Sequence, residues 1–378
     1  MTSSTDDFFE EPLEQSRVKG RIVSDYVITF TRILSDHLRR AGKSPLVEYV
    51  DLFSGPGSYD DGTASTPLLI IREAIRDDKL SSSLKIYFND HDEEKANSLR
   101  RELDTLAGIE KLTYAPLVFN KEASVQFVES LHLKPETPKL FFLDPFGYKK
   151  LTIPLLRSAL TGWAECIFFF NYRRVIAALN NPVFDELVGR LFGESRITAL
   201  KNEISKTQSV QEREAIVLRH LNSALIDAGA KHVMNFSFKV EDSHRSTHHL
   251  VFATRHRKGY EAMKTIMARE STAETEDGPS MTFTQRPSEP TLFDRDPHEV
   301  LAETLLERFQ SRTASLDQIY AEFGSETLYT LPYFRQSLLL LEKNGKVKVQ
   351  PVAASRPAPK GKQSMSGNTI IIFPEVPS

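Results

Sequence analysis

The sequence predicts an α/β protein: a mostly parallel sheet with helices on both faces, followed by a small helical unit at the carboxyl end. Three observations predict it. Short apolar runs alternate with helical stretches from residue 46 to residue 171. Two β-like runs joined by a polar turn then follow a further helix, which reads as a terminal antiparallel hairpin. Between residues 275 and 297 periodicity gives way to Pro, Ser, Asp and Glu, the composition of a linker.

The elements follow in chain order. Val18, Ile22, Tyr26, Phe30, Ile33, Leu34 and Leu38 recur at helical spacing, and Gly42 with Pro45 beyond it ends the helix, so residues 17 to 41 form a leading amphipathic helix. The apolar runs Leu46–Phe53, Leu84–Asn89, Leu112–Phe119, Lys139–Leu143 and Glu165–Asn171 are the parallel strands. A helix over Gln211 to Ala228 leads into the hairpin strands Lys231–Val240 and His248–Thr254. Five βα units closed by a hairpin differ from a plain dinucleotide domain and fit a seven-stranded, Rossmann-like sheet of the class I methyltransferase type. Beyond the linker, helices at His298–Phe309, Ser315–Phe323 and Leu331–Lys343 precede the strand Lys346–Gln350 and a returning strand Thr369–Pro374. Three helices and a β-ribbon suggest a winged helix-turn-helix with the third helix as reader. The expected domains are therefore 1–274, a linker 275–297, and 298–378.

Composition narrows the class. Of 378 residues, 40% are hydrophobic and 26% charged, and no apolar run approaches the ~20 residues a membrane helix needs. The polar, acidic start from Met1 to Glu11 has no secretory pattern, so a cytoplasmic protein is expected. The single cysteine, Cys166, excludes an intrachain disulfide and a cysteine-based metal cluster, and its apolar neighbours make it a packing residue. His244, His248 and His249 have no carboxylate at a metal-site spacing and read as surface residues, so no metal is expected. The net charge of -3 excludes a globally basic nucleic-acid binder but allows basic patches.

The chemistry collects at strand ends. Asp51-Leu-Phe-Ser-Gly-Pro-Gly57 is a strand running into a glycine turn, where Asp51, Phe53, Gly55 and Gly57 border a nucleoside-sized ligand. No third glycine seats a pyrophosphate on a helix N-terminus, which argues against a dinucleotide. Asp90, ending the second strand, is the candidate for ribose hydroxyls, with Asp92 left to cap the next helix. Asn120 after the third strand is either an adenine contact or an ordinary loop residue. Leu140-Phe-Phe-Leu-Asp-Pro-Phe-Gly147 delivers Asp144 and Phe146 to the same rim, as candidate catalytic residues or as a cap and a packed ring. Asn171 and Tyr172 end the fifth strand and complete that rim. Arg173 and Arg174 could meet an anionic substrate or remain solvated. Further phosphate candidates are Arg255, Arg257 and Lys258, Arg335 on the third helix of the tail, and Arg356, Lys360 and Lys362 in its loop.

Taken together, Tyr49-Val-Asp-Leu-Phe-Ser-Gly-Pro-Gly57, Phe141-Phe-Leu-Asp-Pro-Phe-Gly147 and Leu250-Val-Phe-Ala-Thr-Arg-His256 with Gly259 resemble the three-Cys-motif partner family of bacterial and phage proteins. The resemblance covers roughly residues 17 to 270, and the tail is similar to the winged-helix segment of many members. It implies S-adenosyl-L-methionine as cofactor, with Asp51, Gly55 and Gly57 around its methionine part and Asp90 on the ribose. It also implies a partner protein with three cysteines, similar to radical-SAM enzymes. Amino-methylating enzymes carry Asp/Asn-Pro-Pro-Tyr/Phe at the fourth strand; here Phe146 replaces the second proline and Gly147 the aromatic. The expected function is methyl transfer, acting on nucleic acid or together with the three-cysteine partner. The alternative is a non-catalytic ligand-sensing adaptor or nucleic-acid-binding regulator on the same scaffold.

Overall fold

The computed structural model describes residues 13–58, 62–145, 150–179, 181–239, 246–284, 295–358 and 363–375. It divides into two compact units, one ending at Ile266 and one beginning at Met267. The first opens with α1 (Leu13–Arg40), whose Val18, Ile22, Val23, Tyr26, Val27 and Phe30 are buried as one apolar stripe. His37, Arg39 and Arg40 suit its negative C-terminal pole, and Gly42, at a φ of 67°, turns the chain out of the helix.

There follow β1 (Val47–Asp51), α2 (Thr66–Arg76), α3 (Asp78–Ser83), β2 (Leu84–Asn89), α4 (Glu93–Asp104), β3 (Leu117–Phe119), α5 (Val125–Ser130), β4 (Lys139–Leu143), α6 (Ile153–Ala159) and β5 (Ala164–Phe170). Then come α7 (Tyr172–Leu179), α8 (Asp185–Phe192), α9 (Glu194–Ser205), α10 (Val210–Asp227), β6 (His232–Lys239), β7 (Ser246–Thr254) and α11 (Arg257–Arg269). The described strands of the first unit form one sheet in the order β3-β2-β1-β4-β5-β7-β6. β1 to β5 are parallel, whereas β7 is antiparallel to both β5 and β6. β1, β4 and β5 are buried along their whole length, which is why they are mostly apolar without a strict alternation, their charged residues other than Asp51, namely Glu48, Lys139 and Glu165, lying near the amino ends.

Two sequence expectations change in this unit. The third strand is only Leu117–Phe119, because Leu112 to Pro116 lead into the sheet edge without pairing. Helices α7, α8 and α9 fill residues 172–205, where none was expected. Their signal was present, since Val188, Leu191 and Phe192, and then Ile197, Leu200 and Ile204, recur at helical spacing and are buried.

At the end of the sheet opposite the carboxyl ends of the parallel strands, Glu165 is fully buried. It accepts hydrogen bonds from Tyr26 Oη and, at 2.7 Å, from Thr254 Oγ1. Burial pushes its carboxyl up to about 7 despite these two donors. Cys166, beside it, is a buried free thiol, and burial raises it far above its ordinary value.

In the second unit, short strands β8 (Glu274–Thr275), β9 (Gly278–Pro279) and β10 (Thr282–Thr284) occupy the front of the segment expected to be an irregular linker. The rest of that segment, residues 285–294, lies outside the described residues. Next come α12 (Pro297–Arg308), β11 (Thr313–Ser315), α13 (Leu316–Phe323), α14 (Leu331–Lys343), β12 (Lys348–Gln350) and β13 (Ile370–Ile372). The last three strands form an antiparallel sheet in the order β11-β13-β12. Leu301, Leu305, Leu316, Ile319, Phe334, Leu338 and Ile371 make a core of the unit's own. A capping box between Ser315 and Gln318 starts α13, satisfying backbone donors at its N-terminus.

Candidate functional site

In an open parallel sheet, ligands settle outside the carboxyl ends of the strands, at the point where the strand order reverses. Here that point lies between β1 and β4, paired so that Asp51 stands opposite Phe142. Asp51 ends β1, and Asp144 follows β4 by one residue. The two motif acids therefore flank the crevice that the topology creates.

Asp51 is fully buried. Its Oδ1 accepts from the Phe53 N–H at 3.0 Å, and the Tyr49 hydroxyl lies 3.4 Å from Oδ2. Burial pushes its carboxyl well above the usual range, and the charges of Asp144 and Asp90 add to the effect. Three carboxylates thus share one rim. Gly55 has a φ of 72° and nothing within 4 Å of where a Cβ would stand, so a ligand can reach the main chain there. Gly57, at 96°, has a different reason to be glycine, since a Cβ would lie 3.1 Å from Glu102 and 3.2 Å from Leu99. Glu102 of α4 also accepts from Ser58 N at 2.9 Å and Ser58 Oγ at 2.7 Å, holding the glycine turn. Phe53 is half-buried against the apolar core.

The second strand's exit is tied to the first. Asp90 accepts from Gly55 N and from Asp92 N, each at 2.9 Å, so each carboxylate oxygen already holds one backbone donor and keeps a lone pair for a hydroxyl. Asp92 caps α4 through Glu94 N and Lys95 N, the role expected of it. Asn120 spends both amide hydrogens on the carbonyls of Asp90 and His91, leaving its own carbonyl as an acceptor. Buried Asn89, which no motif in the sequence marks, bonds Leu52 O, Lys121 O and Lys121 N, thereby fixing the ends of three strands.

On the far side of the crevice, Asp144 meets Lys19 of α1, with Nζ 2.8 Å from Oδ2. Lys19 is buried, and its ammonium lies 4.4 Å from the centroid of the Phe169 ring. His248 stacks on the same ring, with 4.7 Å between centroids. Burial, with Lys19 nearby, pushes the His248 imidazole down to about 3, so it is neutral at pH 7. Its neighbour His249 is fully buried, bonded through Nδ1 to Ser237 Oγ at 3.0 Å; its Nε2 lies 3.3 Å from Glu214 without hydrogen-bond geometry. The expectation that these two histidines lie on the surface is therefore corrected: β7 is a central strand, and both of its faces are covered. His244 lies outside the described residues. The signal for Lys19 was a polar residue on the apolar stripe of α1, one turn before Ile22 and Val23.

Asn171 is buried and receives the Arg174 N–H at 3.0 Å, which starts α7. Arg173 is exposed beside it. Phe146 and Gly147 lie outside the described residues, as do Lys360 and Lys362. Arg255, Arg257 and Lys258 are exposed, but they follow the end of β7, which pairs with the beginning of β5. That is the sheet edge opposite Asp51 and Asp144, so the structure does not bring this basic cluster to the rim. Arg335 donates through Nε to Met365 O at 2.9 Å. Arg356 is corrected from an exposed phosphate contact to a buried residue paired with Glu342. Among the described residues, no group of three or more His, Cys, Asp or Glu has the arrangement of a metal site, and no helix is long and apolar enough to cross a membrane.

No protein-family model and no curated protein sequence matches this chain. Among solved structures it is similar to a Legionella pneumophila protein of the DUF519 family, at 13% identity, 62% of this chain, 85% of that one and a TM-score of 0.37. It is also similar to the methyltransferase domain of bacterial CtHen1 (12%, 64% and 98%, TM-score 0.32). A third likeness is to a Methanococcus maripaludis protein described as an S-adenosyl-L-methionine-dependent methyltransferase (11%, 68% and 97%, TM-score 0.29). At such scores and identities none of them says what this chain does.

Proposed function

We propose that the first unit binds S-adenosyl-L-methionine at the crevice between β1 and β4 and transfers its methyl group to an acceptor held near Asp144. The observation that carries this reading is the pair of motif acids, Asp51 and Asp144, flanking the switch point of a β3-β2-β1-β4-β5-β7-β6 sheet, with open backbone at Gly55. The acceptors of the rim favour the same ligand. Asp51, Asp90 and Asp144 offer acceptor oxygens that suit an ammonium and ribose hydroxyls and give a pyrophosphate, itself acceptor-only, no donor. Asp90, with free lone pairs on both oxygens, is the ribose acceptor, and Asn120 can accept from an adenine amino group through its remaining carbonyl. The bound cofactor would supply the activated methyl group; Asp144 would accept a hydrogen bond from the acceptor atom and orient it.

Calorimetric titration tests the cofactor reading. S-adenosylmethionine should bind and NADH should give no heat. Asp90→Ala should weaken binding by ~10–100-fold, the worth of hydrogen bonds to a charged acceptor. Wild-type protein that gives no heat with S-adenosylmethionine overturns the reading.

The second unit is proposed to be a winged helix-turn-helix, on the order α12-β11-α13-α14-β12-β13. A protein partner, such as the three-cysteine protein implied by the family resemblance, is favoured over nucleic acid as its target. Arg295, Arg308, Arg312 and Arg356 each hold a glutamate of the same unit, which leaves less cationic surface for phosphates. Tritiated methyl transfer to DNA, RNA and a co-encoded partner, compared between wild type and Asp144→Ala, separates an enzyme from an adaptor. A loss of at least ~100-fold in the variant is expected of a group that orients the acceptor, and equal labelling removes Asp144 from catalysis.

A further inference from the structure

The ion pair between Lys19 and Asp144 is a feature of the rim that the proposed chemistry does not require. A lysine is rarely buried, and this one sits on a helix that is fixed at several points. Tyr26, two turns on, bonds Glu165, while Arg39 bonds Ser82 and Ser83 of α3. The ammonium is thus held against Asp144 by the architecture rather than by a floppy chain. Among the described residues, the groups that interact with this carboxylate include Lys19 from α1, Asp51 from β1 and the neutral imidazole of His248 from β7, on which Arg173, exposed on α7, also acts. The charge of Asp144 is felt as far as Asp51 and Tyr49, across the switch point.

We propose that Lys19 is a specificity-determining residue that sets how strongly this rim prefers the positively charged donor, S-adenosylmethionine, over its neutral product, S-adenosylhomocysteine. This rests on the cofactor reading above. Without the ammonium beside it, Asp144 would attract a sulfonium and gain nothing from a thioether. In methyl transfer the acceptor's lone pair takes the methyl group while the electron pair of the broken C–S bond returns to sulfur, so the sulfur's charge is lost as the reaction proceeds. A carboxylate that held the sulfonium tightly would stabilise the starting state and slow that loss. Lys19 cancels much of this attraction, leaving Asp144 able to accept a hydrogen bond from the acceptor.

Titration of both ligands into wild type, Lys19→Met, Lys19→Arg and Asp144→Asn, at one pH and one ionic strength, tests the proposal without any acceptor. Removing the ammonium should raise the preference for S-adenosylmethionine by about tenfold, the size of one partly screened charge contact. Lys19→Arg should keep the wild-type ratio within about twofold. Asp144→Asn, which keeps the ammonium at the rim without this carboxylate, should move the ratio the other way by about tenfold, and it decides the matter if Lys19→Met fails to fold. Parallel changes in both affinities, or an unchanged ratio in Lys19→Met and Asp144→Asn, overturn the proposal and leave Lys19 as a packing residue. Failure of both ligands to bind the wild type overturns the cofactor reading as well, which is a distinguishable result.

Discussion

Glu165→Gln should become steadily more stable relative to wild type as pH rises from 4.5 to 7, with the difference levelling off above that. Glu165 is buried, with its carboxyl pushed up to about 7 from an ordinary 4.5. Between those values the folded protein keeps a proton that the unfolded chain has released. Stability then falls with rising pH, because folding is linked to proton uptake. Over the window the loss from this group is up to about 3 kcal/mol, at ~1.4 kcal/mol for each tenfold difference in proton affinity between the folded and unfolded chain. Glutamine does not titrate, and its amide can still meet the Tyr26 and Thr254 hydroxyls, at a constant penalty of about 1 kcal/mol for imperfect geometry. Denaturant melts of both proteins from pH 4.5 to 8 give the difference directly. Parallel stability curves would mean that Glu165 titrates normally in the fold.

Gly259→Ala should lower stability by about 3 kcal/mol, the upper end of overpacking effects, and the melting temperature by roughly 5–10 °C. Gly259 lies in the first turn of α11, where alanine would ordinarily gain up to about 1 kcal/mol in helix propensity. The packing term outweighs that gain. A Cβ here would stand 2.2 Å from Glu165 Oε1 and 3.0 Å from Tyr26 Oη. The end of a glutamate can usually retreat from such a clash. This one is buried and held from two sides, so retreat breaks the bond from Tyr26 or from Thr254. A double-mutant cycle with Glu165→Ala isolates the clash: in the shortened background the alanine should be nearly harmless, and an equal penalty in both backgrounds would refute the clash as the cause.

The same residues explain why some of this protein was legible in its sequence. The strands that carry the crevice are continuous apolar runs ending in an acid, a pattern that a buried parallel sheet enforces, and Asp51, Asp90 and Asp144 could be found from it. The Phe-Ala-Thr run with Gly259 was recognised only as a resemblance; its physical content is the Thr254 hydroxyl and the missing Cβ around Glu165. Lys19 and Glu102 were not found, because each acts across the fold on a turn or carboxylate far away in sequence. Arg356 misled for the opposite reason. A basic residue among prolines and serines reads as a solvated loop; the loop is mostly exposed, but Arg356 itself turns inward to Glu342 of α14.

α1 reaches both ends of the sheet, with Lys19 at the carboxyl rim and Tyr26 at Glu165 on the opposite side. The two ionisable clusters are thereby parts of one cooperative opening unit. Any fluctuation that lifts this helix strips Asp144 of its counter-ion and Glu165 of its phenol donor in the same event. Amide exchange along residues 19 to 26 should consequently slow when a ligand fills the crevice, and speed up in Glu165→Ala, although the two sites lie at opposite ends of the sheet.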